Sequence, residues 1–147
     1  MKATLIFCAA AMLSIISCTQ QEKPNPIEGQ WNLIYSKSVA NDSVDGEFPG
    51  TYQGSDMKWW SKDHFIFVGK YTQDTVTMDS FGGGTYSLNG TDYAETVVYH
   101  SAPEVVGMTY KMLVTVKNDT LVQIWPVNNA GKIDDSNYRL ERYTRMK

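Results

Sequence analysis

The chain has 147 residues, a formal net charge of −3 and 12% aromatic residues. This length suits one domain with one core, and the slightly acidic balance provides no basic surface that would bind nucleic acid. The nine tyrosines and four tryptophans favour β-sheets and binding surfaces, because these rings combine a large apolar area with a polar group.

The first residues predict a lipoprotein signal. A single lysine precedes a mostly apolar segment, residues 3–16, which is too short to cross a bilayer as a stable helix. The next residues, Ile15-Ile16-Ser17-Cys18, resemble the bacterial lipobox. The resemblance implies that residues 1–17 are a signal peptide and that Cys18 receives the lipid. An ordinary signal peptide with an incidental cysteine is the alternative.

The segment after this cysteine predicts a tether. Residues 18–27 are polar and contain two prolines, so we expect a flexible link between the lipid and a domain over residues 28–147. Cys8 would leave with the signal, so a packed core and not a disulfide must stabilise the domain. Thr19, where aspartate would stand otherwise, resembles the outer-membrane class of bacterial lipoproteins. The resemblance implies a lipid-anchored protein of the bacterial cell envelope, in the outer membrane.

A period of two residues dominates the rest of the chain and predicts β-strands. The predicted strands cover approximately residues 30–38, 57–61, 64–71, 74–78, 85–88, 93–100, 108–117, 120–125 and 137–146. Residues 40–56 contain three glycines, a proline and four acidic residues, and we predict a long loop there. Asn89-Gly90 between two alternating segments predicts a hairpin. We therefore expect an all-β fold, a single antiparallel up-and-down β-barrel of eight or nine strands.

Glycine and tryptophan at the start of the first strand resemble the lipocalin signature. Gly29 and Trp31 match its first half, and the chain after the signal is similar to the small lipocalin-like lipoproteins of bacteria, a group largely without assigned function. The resemblance implies that the tryptophan closes one end of the barrel and that an arginine of the last strand lies across its ring. We expect Arg142 to be that arginine, because it shares a strand face with Tyr138 and Leu140.

Motifs for catalysis or metal binding are weak in this sequence. Gly82-Gly83-Gly84 is followed by neither the lysine nor the helix of a phosphate-binding loop, so a bulge or wide turn is expected. No serine lies in a nucleophile-elbow pattern. Glu95 and His100 face opposite sides of one predicted strand and cannot converge on a metal ion. We expect no enzymatic activity, no metal and no cofactor.

Polar and aromatic residues on inward strand faces are the candidates for ligand binding. Tyr93, Glu95 and Tyr99 share a strand face, and a buried carboxylate there must be paired, or it could orient a cationic or hydroxylated ligand. The predicted ligand-binding residues are Tyr86, Glu95, Tyr99, Met112 and His64. In the alternative, the tyrosines cover a sheet edge, Glu95 faces water or pairs with a terminal arginine, and His64 has a local structural role.

Two functions remain open from the sequence. The first is a monomeric, membrane-attached carrier of a small apolar or amphipathic ligand. The second is a structural lipoprotein with a filled core that binds another envelope protein through Trp60, the 40–56 loop or a sheet edge. Trp59 and Trp60 are neighbours on one strand, so only one of them can face the barrel interior.

Overall fold

The computed structural model describes residues 25–147, which fold into nine strands and one turn of 3₁₀-helix, Pro103–Val105. The strands are β1 (Gly29–Ala40), β2 (Ser43–Phe48), β3 (Gln53–Trp60), β4 (His64–Gln73), β5 (Val76–Asn89), β6 (Asp92–His100), β7 (Thr109–Lys117), β8 (Thr120–Trp125) and β9 (Tyr138–Arg145). The predicted signal peptide, Cys18 and most of the predicted tether lie outside the described residues.

Eight of these strands close into an antiparallel barrel. The strands pair in the order β1-β3-β4-β5-β6-β7-β8-β9, and β9 pairs with β1 to complete the ring. β2 is an additional strand on the distal half of β1, whereas β3 pairs with its first residues. The all-β, up-and-down barrel predicted from the alternation is confirmed. Within residues 25–147, no helix has the length and apolar character needed to cross a bilayer.

The prediction of a long loop over residues 40–56 is wrong, because β2 lies inside it. Asn41 and Asp42 adopt φ values of 50° and 62° and form the tight turn between β1 and β2, a conformation that Asn and Asp tolerate better than most residues. The first three residues of β2 are exposed, and Phe48 is its only apolar residue in the core. The glycine and acidic residues of β2 therefore give it the composition of a loop.

The three consecutive glycines lie inside β5, which continues through residues predicted as a short strand and a turn. The pairing of β5 with β6 shifts register between Gly83 and Gly84, so the predicted bulge is present. At Gly82, an added Cβ would lie 2.5 Å from the Phe67 ring. The absence of side chains therefore allows an aromatic ring of the neighbouring strand to pack directly on the β5 backbone.

Trp31 closes one end of the barrel, where it is fully buried. Its indole N–H donates a hydrogen bond to the Ile27 carbonyl at 2.7 Å. The guanidinium carbon of Arg145 lies 4.1 Å from the centre of the indole ring, a cation–π contact. Gly29 adopts φ +116°, and a Cβ there would lie 2.9 Å from Arg145 Nη1, so the glycine makes room for the arginine.

The expectation that Arg142 lies over Trp31 is wrong. Arg142 points outward and lies 5.7 Å from the Tyr35 ring centre instead. Tyr143 is buried in the core, so Glu141, Tyr143 and Arg145 form the inward face of β9. The sequence correctly separates Arg142 from Arg145 onto opposite faces of β9. The face that points inward is the one with Arg145, and not the one with Arg142.

Residues just before the predicted domain start at residue 28 also contact the barrel. Ile27 is 1% exposed and belongs to the hydrophobic core. Arg145 donates hydrogen bonds to the carbonyls of Glu28 at 2.7 Å and Pro26 at 2.8 Å. Asn25 donates to the Tyr86 hydroxyl at 2.8 Å. Residues 25–27, assigned from their prolines to the tether, are therefore fixed against the closed end.

The two neighbouring tryptophans face opposite sides of the wall. Trp60 is 1% exposed and packs edge-on against Tyr143, with ring centres 5.9 Å apart, whereas Trp59 is 50% exposed. The expected division between the two rings is confirmed, but Trp60 is not available to a protein partner. Trp59 belongs to a group of exposed apolar side chains on β3–β6, which we call the outer apolar wall: Met57, Trp59, Ile66, Val68, Phe81 and Tyr99.

Candidate functional site

A cavity of about 800 Å³ occupies the half of the barrel opposite Trp31. Its rim includes Lys37 on β1, Asp45 on β2, Glu104 in the 3₁₀ turn and Arg139 on β9. Three of these four residues are exposed, which places the opening at this end of the barrel. Core side chains fill the closed end of the barrel, and the cavity extends from them to the solvent at the open end.

A buried ion pair lies in the cavity wall between β3 and β6. Lys58 Nζ lies 2.9 Å from Glu95 Oε2, and both side chains are almost completely buried. The same Glu95 oxygen accepts a hydrogen bond from the Tyr93 hydroxyl at 2.9 Å, and the Trp60 indole N–H donates to that hydroxyl at 2.9 Å. Removal of either charge would leave its partner buried and unpaired, which costs about 3–5 kcal/mol. This network therefore fixes the wall of the cavity.

A second polar cluster joins β8 and β9. Glu141 Oε2 accepts hydrogen bonds from Gln123 Nε2 at 2.6 Å and from the Tyr143 hydroxyl. Burial raises the pKa of Glu141, and the Glu95 carboxylate adds to this effect, whereas Lys58 opposes it. Gln123 Oε1 is a buried acceptor without a donor among the described residues. An unsatisfied buried acceptor costs about 1–3 kcal/mol, so this atom is a candidate contact for a ligand.

Asp56 is a third carboxylate in the cavity wall and is 5% exposed. It lies over Gly69 of the neighbouring strand, where an added Cβ would lie 2.5 Å from Asp56 Oδ2. Burial and the nearby Glu141 carboxylate raise the pKa of Asp56 to about 7, although a hydrogen bond with Tyr71 and the charge of Lys58 lower it. The Asp56 carboxyl group can therefore gain or lose a proton near neutral pH.

Two of the predicted ligand-binding residues line the cavity. Glu95 and Met112 are buried and border it, as their inward strand positions suggested. Their contact with a ligand stays a prediction.

Tyr86 does not border the cavity. It lies at the closed end, where its hydroxyl donates to the Ser61 carbonyl at 2.6 Å and its ring stacks on Tyr93 with centres 5.4 Å apart. Its position on β5 is several residues closer to the closed end than that of the cavity-lining Ser80. We therefore correct its assignment from a ligand contact to part of the barrel floor.

Tyr99 and His64 also lie outside the cavity. Tyr99 is 72% exposed, because Gly83 pairs with Tyr99 and Gly84 with Val97, so the bulge reverses the alternation after Val97. His64 is exposed at the first position of β4, where its Nδ1 lies 2.6 Å from Asp63 Oδ1. The local structural role for His64, left open as the alternative, matches this placement.

Asp56, Lys58, Gln123 and Glu141 were missed as site residues. Asp56 lies at the end of the predicted loop, and the sequence predicts no role for Lys58 on β3 or Glu141 on β9. The signal was the alternation itself: Asp56, Lys58 and Trp60 occupy every second position of β3, so a buried tryptophan implies two inward charges. Glu141 and the buried Tyr143 give the same signal on β9.

Within residues 25–147, no group of three or more His, Cys, Asp or Glu side chains has an arrangement that could hold a metal ion. The chain matches no protein-family model, and a search of curated proteins finds no match.

Proposed function

We propose that this protein is a lipocalin-like carrier that binds a small amphipathic ligand inside its barrel. The observation that supports the proposal most is the cavity of about 800 Å³, open at one end. Sites for small organic ligands have volumes of about 300–1,000 Å³ and combine apolar walls with a few polar groups. Of the apolar and amphipathic ligands expected from the sequence, the polar cavity wall favours the amphipathic kind.

The wall provides both apolar and acidic groups for such a ligand. Phe67, Val97 and Met112 contribute apolar area, and Glu141 and Asp56 contribute charge. Burying an ionised group is costly, and a purely apolar ligand would add no polar contact to the hydrogen bonds that Glu141 and Asp56 already make. A ligand with a polar group at one end would satisfy both kinds of group.

Native mass spectrometry of the full-length chain in gentle detergent tests this proposal. We expect an additional mass that is retained in the native spectrum and lost on denaturation. A bare protein mass, together with unchanged tryptophan fluorescence across a panel of lipids and haem, would contradict the proposal.

A pair of neighbouring valines provides a matched test. Val97 is buried and borders the cavity, whereas Val98 is 44% exposed on the outside. Val97→Trp should fill the cavity and abolish the retained mass, whereas Val98→Trp should keep it. Circular dichroism would verify that both variants fold.

A protein-binding role is the second candidate, and the outer apolar wall supports it. Trp59 lies beside Ile66, and Met57 beside Val68, in adjacent registers of β3 and β4, and all four are exposed. Contiguous apolar patches of this kind mark interaction sites in many proteins. Site-specific photo-crosslinking from Ile66 in intact cells would test this role, with Thr115 on β7, also exposed, as the control position.

We also propose that a lipid on Cys18 attaches the chain to a membrane of the bacterial envelope, most simply the outer membrane. Cys18→Ala should release the protein from the membrane fraction, whereas Cys8→Ala should not, because Cys8 lies within the apolar segment of the signal. Membrane association of the Cys18 variant would contradict the proposal.

A further inference from the structure

The charge of the cavity wall indicates what kind of polar group the ligand carries. We propose that this group is an organic cation, such as a protonated amine, which binds between Asp56, Glu141 and Gln123. The inference rests on the proposed function, because it assigns a ligand class to the same cavity.

Acidic side chains outnumber basic ones in the inner part of the cavity. Within the described part of the chain, the carboxyl groups of Asp56, Glu95 and Glu141 border it, against the single ammonium group of Lys58. Burial favours the neutral forms of Asp56 and Glu141, and a ligand cation beside them would favour their ionised forms. The rim adds no further excess, because Lys37 and Arg139 are matched there by Asp45 and Glu104. A ligand cation would therefore meet a complementary field, and a ligand anion would meet an opposed one.

Lys58 offsets only part of this excess, because its ammonium group is paired with Glu95. Its Nζ is 2.9 Å from Glu95 Oε2 and lies 4.9 Å from the ring centres of both Trp60 and Phe65. These contacts hold the ammonium group beside Glu95 and the two aromatic rings. Of the three acidic groups in the inner part of the cavity, Asp56 and Glu141 make no ion pair among the described residues.

Gln123 provides an independent reason to expect a donor on the ligand. In its ionised form, which a ligand cation would favour, Glu141 only accepts hydrogen bonds, so its bond to Gln123 is made by the amide nitrogen. Oε1 is then an acceptor, and Gln123 is 1% exposed and borders the cavity. An ammonium group has several N–H donors and could satisfy Oε1 and one carboxylate together, which a ligand carboxylate could not.

Three probes of similar size and different charge test the inference. Isothermal titration calorimetry of the full-length chain would compare 2-phenylethylamine, 2-phenylethanol and 3-phenylpropanoate. We expect the amine to bind at least about tenfold more tightly than the alcohol, and the propanoate to bind most weakly. Asp56→Asn and Glu141→Gln should each weaken amine binding by about tenfold and change alcohol binding by less than about twofold.

Asp79→Asn is the matched control. It also removes one carboxylate, but Asp79 is exposed on β5 and pairs with Lys70 outside the cavity, so amine binding should change by less than about twofold. If both cavity variants fail to fold, the wild-type order of the three probes still decides the question.

The outcomes separate this inference from the proposed function. Alcohol or propanoate binding as tight as that of the amine would overturn the cation and leave a ligand-binding barrel. Failure of all three probes to bind would also overturn the cation. The retained mass and its loss in Val97→Trp would then decide the carrier function by themselves.

Discussion

Asp56 shows how burial couples a single carboxyl group to pH. Its pKa rises from 3.8 to about 7, mainly through burial and then through Glu141. Tyr71 and Lys58 also face it and act in the opposite direction. Between these two pKa values the folded chain keeps a proton that the unfolded chain has lost. The contribution of Asp56 to stability is therefore most favourable at low pH and declines as the pH rises towards 7.

Asp56→Asn should remove this pH dependence. Relative to wild type, the free energy of unfolding of the variant should increase as the pH rises from about 4 to 8, by up to about 4 kcal/mol. Urea denaturation at several pH values would measure it. A wild-type-to-variant difference that does not change with pH would contradict the assignment.

The two adjacent tryptophans should differ sharply in their contribution to stability. Trp60→Ala leaves a cavity and removes the donor to Tyr93, so we expect a loss of about 3–5 kcal/mol. Trp59 is half exposed, and Trp59→Ala should cost less than about 1 kcal/mol. Denaturant unfolding compares the two, and equal losses would contradict the placement of these rings.

At the scale of elements, the last strand holds the start of the chain. Arg145 on β9 binds the carbonyls of Pro26 and Glu28 and lies over Trp31. Arg142 on the same strand makes only an outer contact with Tyr35. One inward arginine therefore joins the two ends of the domain.

Arg145→Gln should destabilise the fold by about 1–3 kcal/mol, because it removes hydrogen bonds to two carbonyls and the contact with the indole ring. Arg142→Gln is the control and should cost less than about 0.5 kcal/mol, as expected for a surface change. Thermal unfolding followed by circular dichroism would measure both. Equal effects of the two substitutions would contradict the role given to Arg145.

Elements with regular alternation could be predicted from the sequence, and irregular ones could not. The hairpin at Asn89-Gly90 lies where it was predicted, with Asn89 and Asp92 as the last pair of β5 and β6. β2 was missed because an exposed additional strand needs no apolar periodicity. The sequence predicts the wrong side for Tyr99, because the residue types do not show where a bulge lies. One extra residue at the bulge reverses which side chains of β6 point inward.

The candidate site was predicted less completely than the fold for a related reason. Alternation identifies which residues share a face, as for Glu95, but a charged residue at an inward position reads as a solvent-facing one. Asp56 and Glu141 become recognisable only when the closed ring of strands has set which side is inside. Tyr86 is separated from the cavity by its depth along the barrel axis. That depth depends on the strand register, which the alternation of residue types does not reveal.

At the scale of the whole molecule, the pairing of β1 with β9 makes the barrel a single closed unit. Without β9, both β1 and β8 would expose unpaired strand edges, which favour aggregation. In the closed ring, the strands that carry the outer apolar wall are paired on both edges.

A chain that ends at residue 137 should therefore lose its cooperative thermal transition and elute as aggregates in size-exclusion chromatography. A chain that lacks only Met146 and Lys147, which follow β9, should unfold cooperatively like the complete protein. Cooperative unfolding of the shorter chain would show that closure is dispensable.

The attachment of residues 25–28 to the barrel floor has a topographic consequence. Asn25 lies seven residues after Cys18, a span of at most about 25 Å. For a chain anchored at Cys18, the closed end of the barrel would lie near the bilayer. The open end of the cavity would then face the aqueous space away from the membrane. Cargo would then be exchanged with water or with a visiting partner, and direct transfer into the lipid would require the whole domain to turn over.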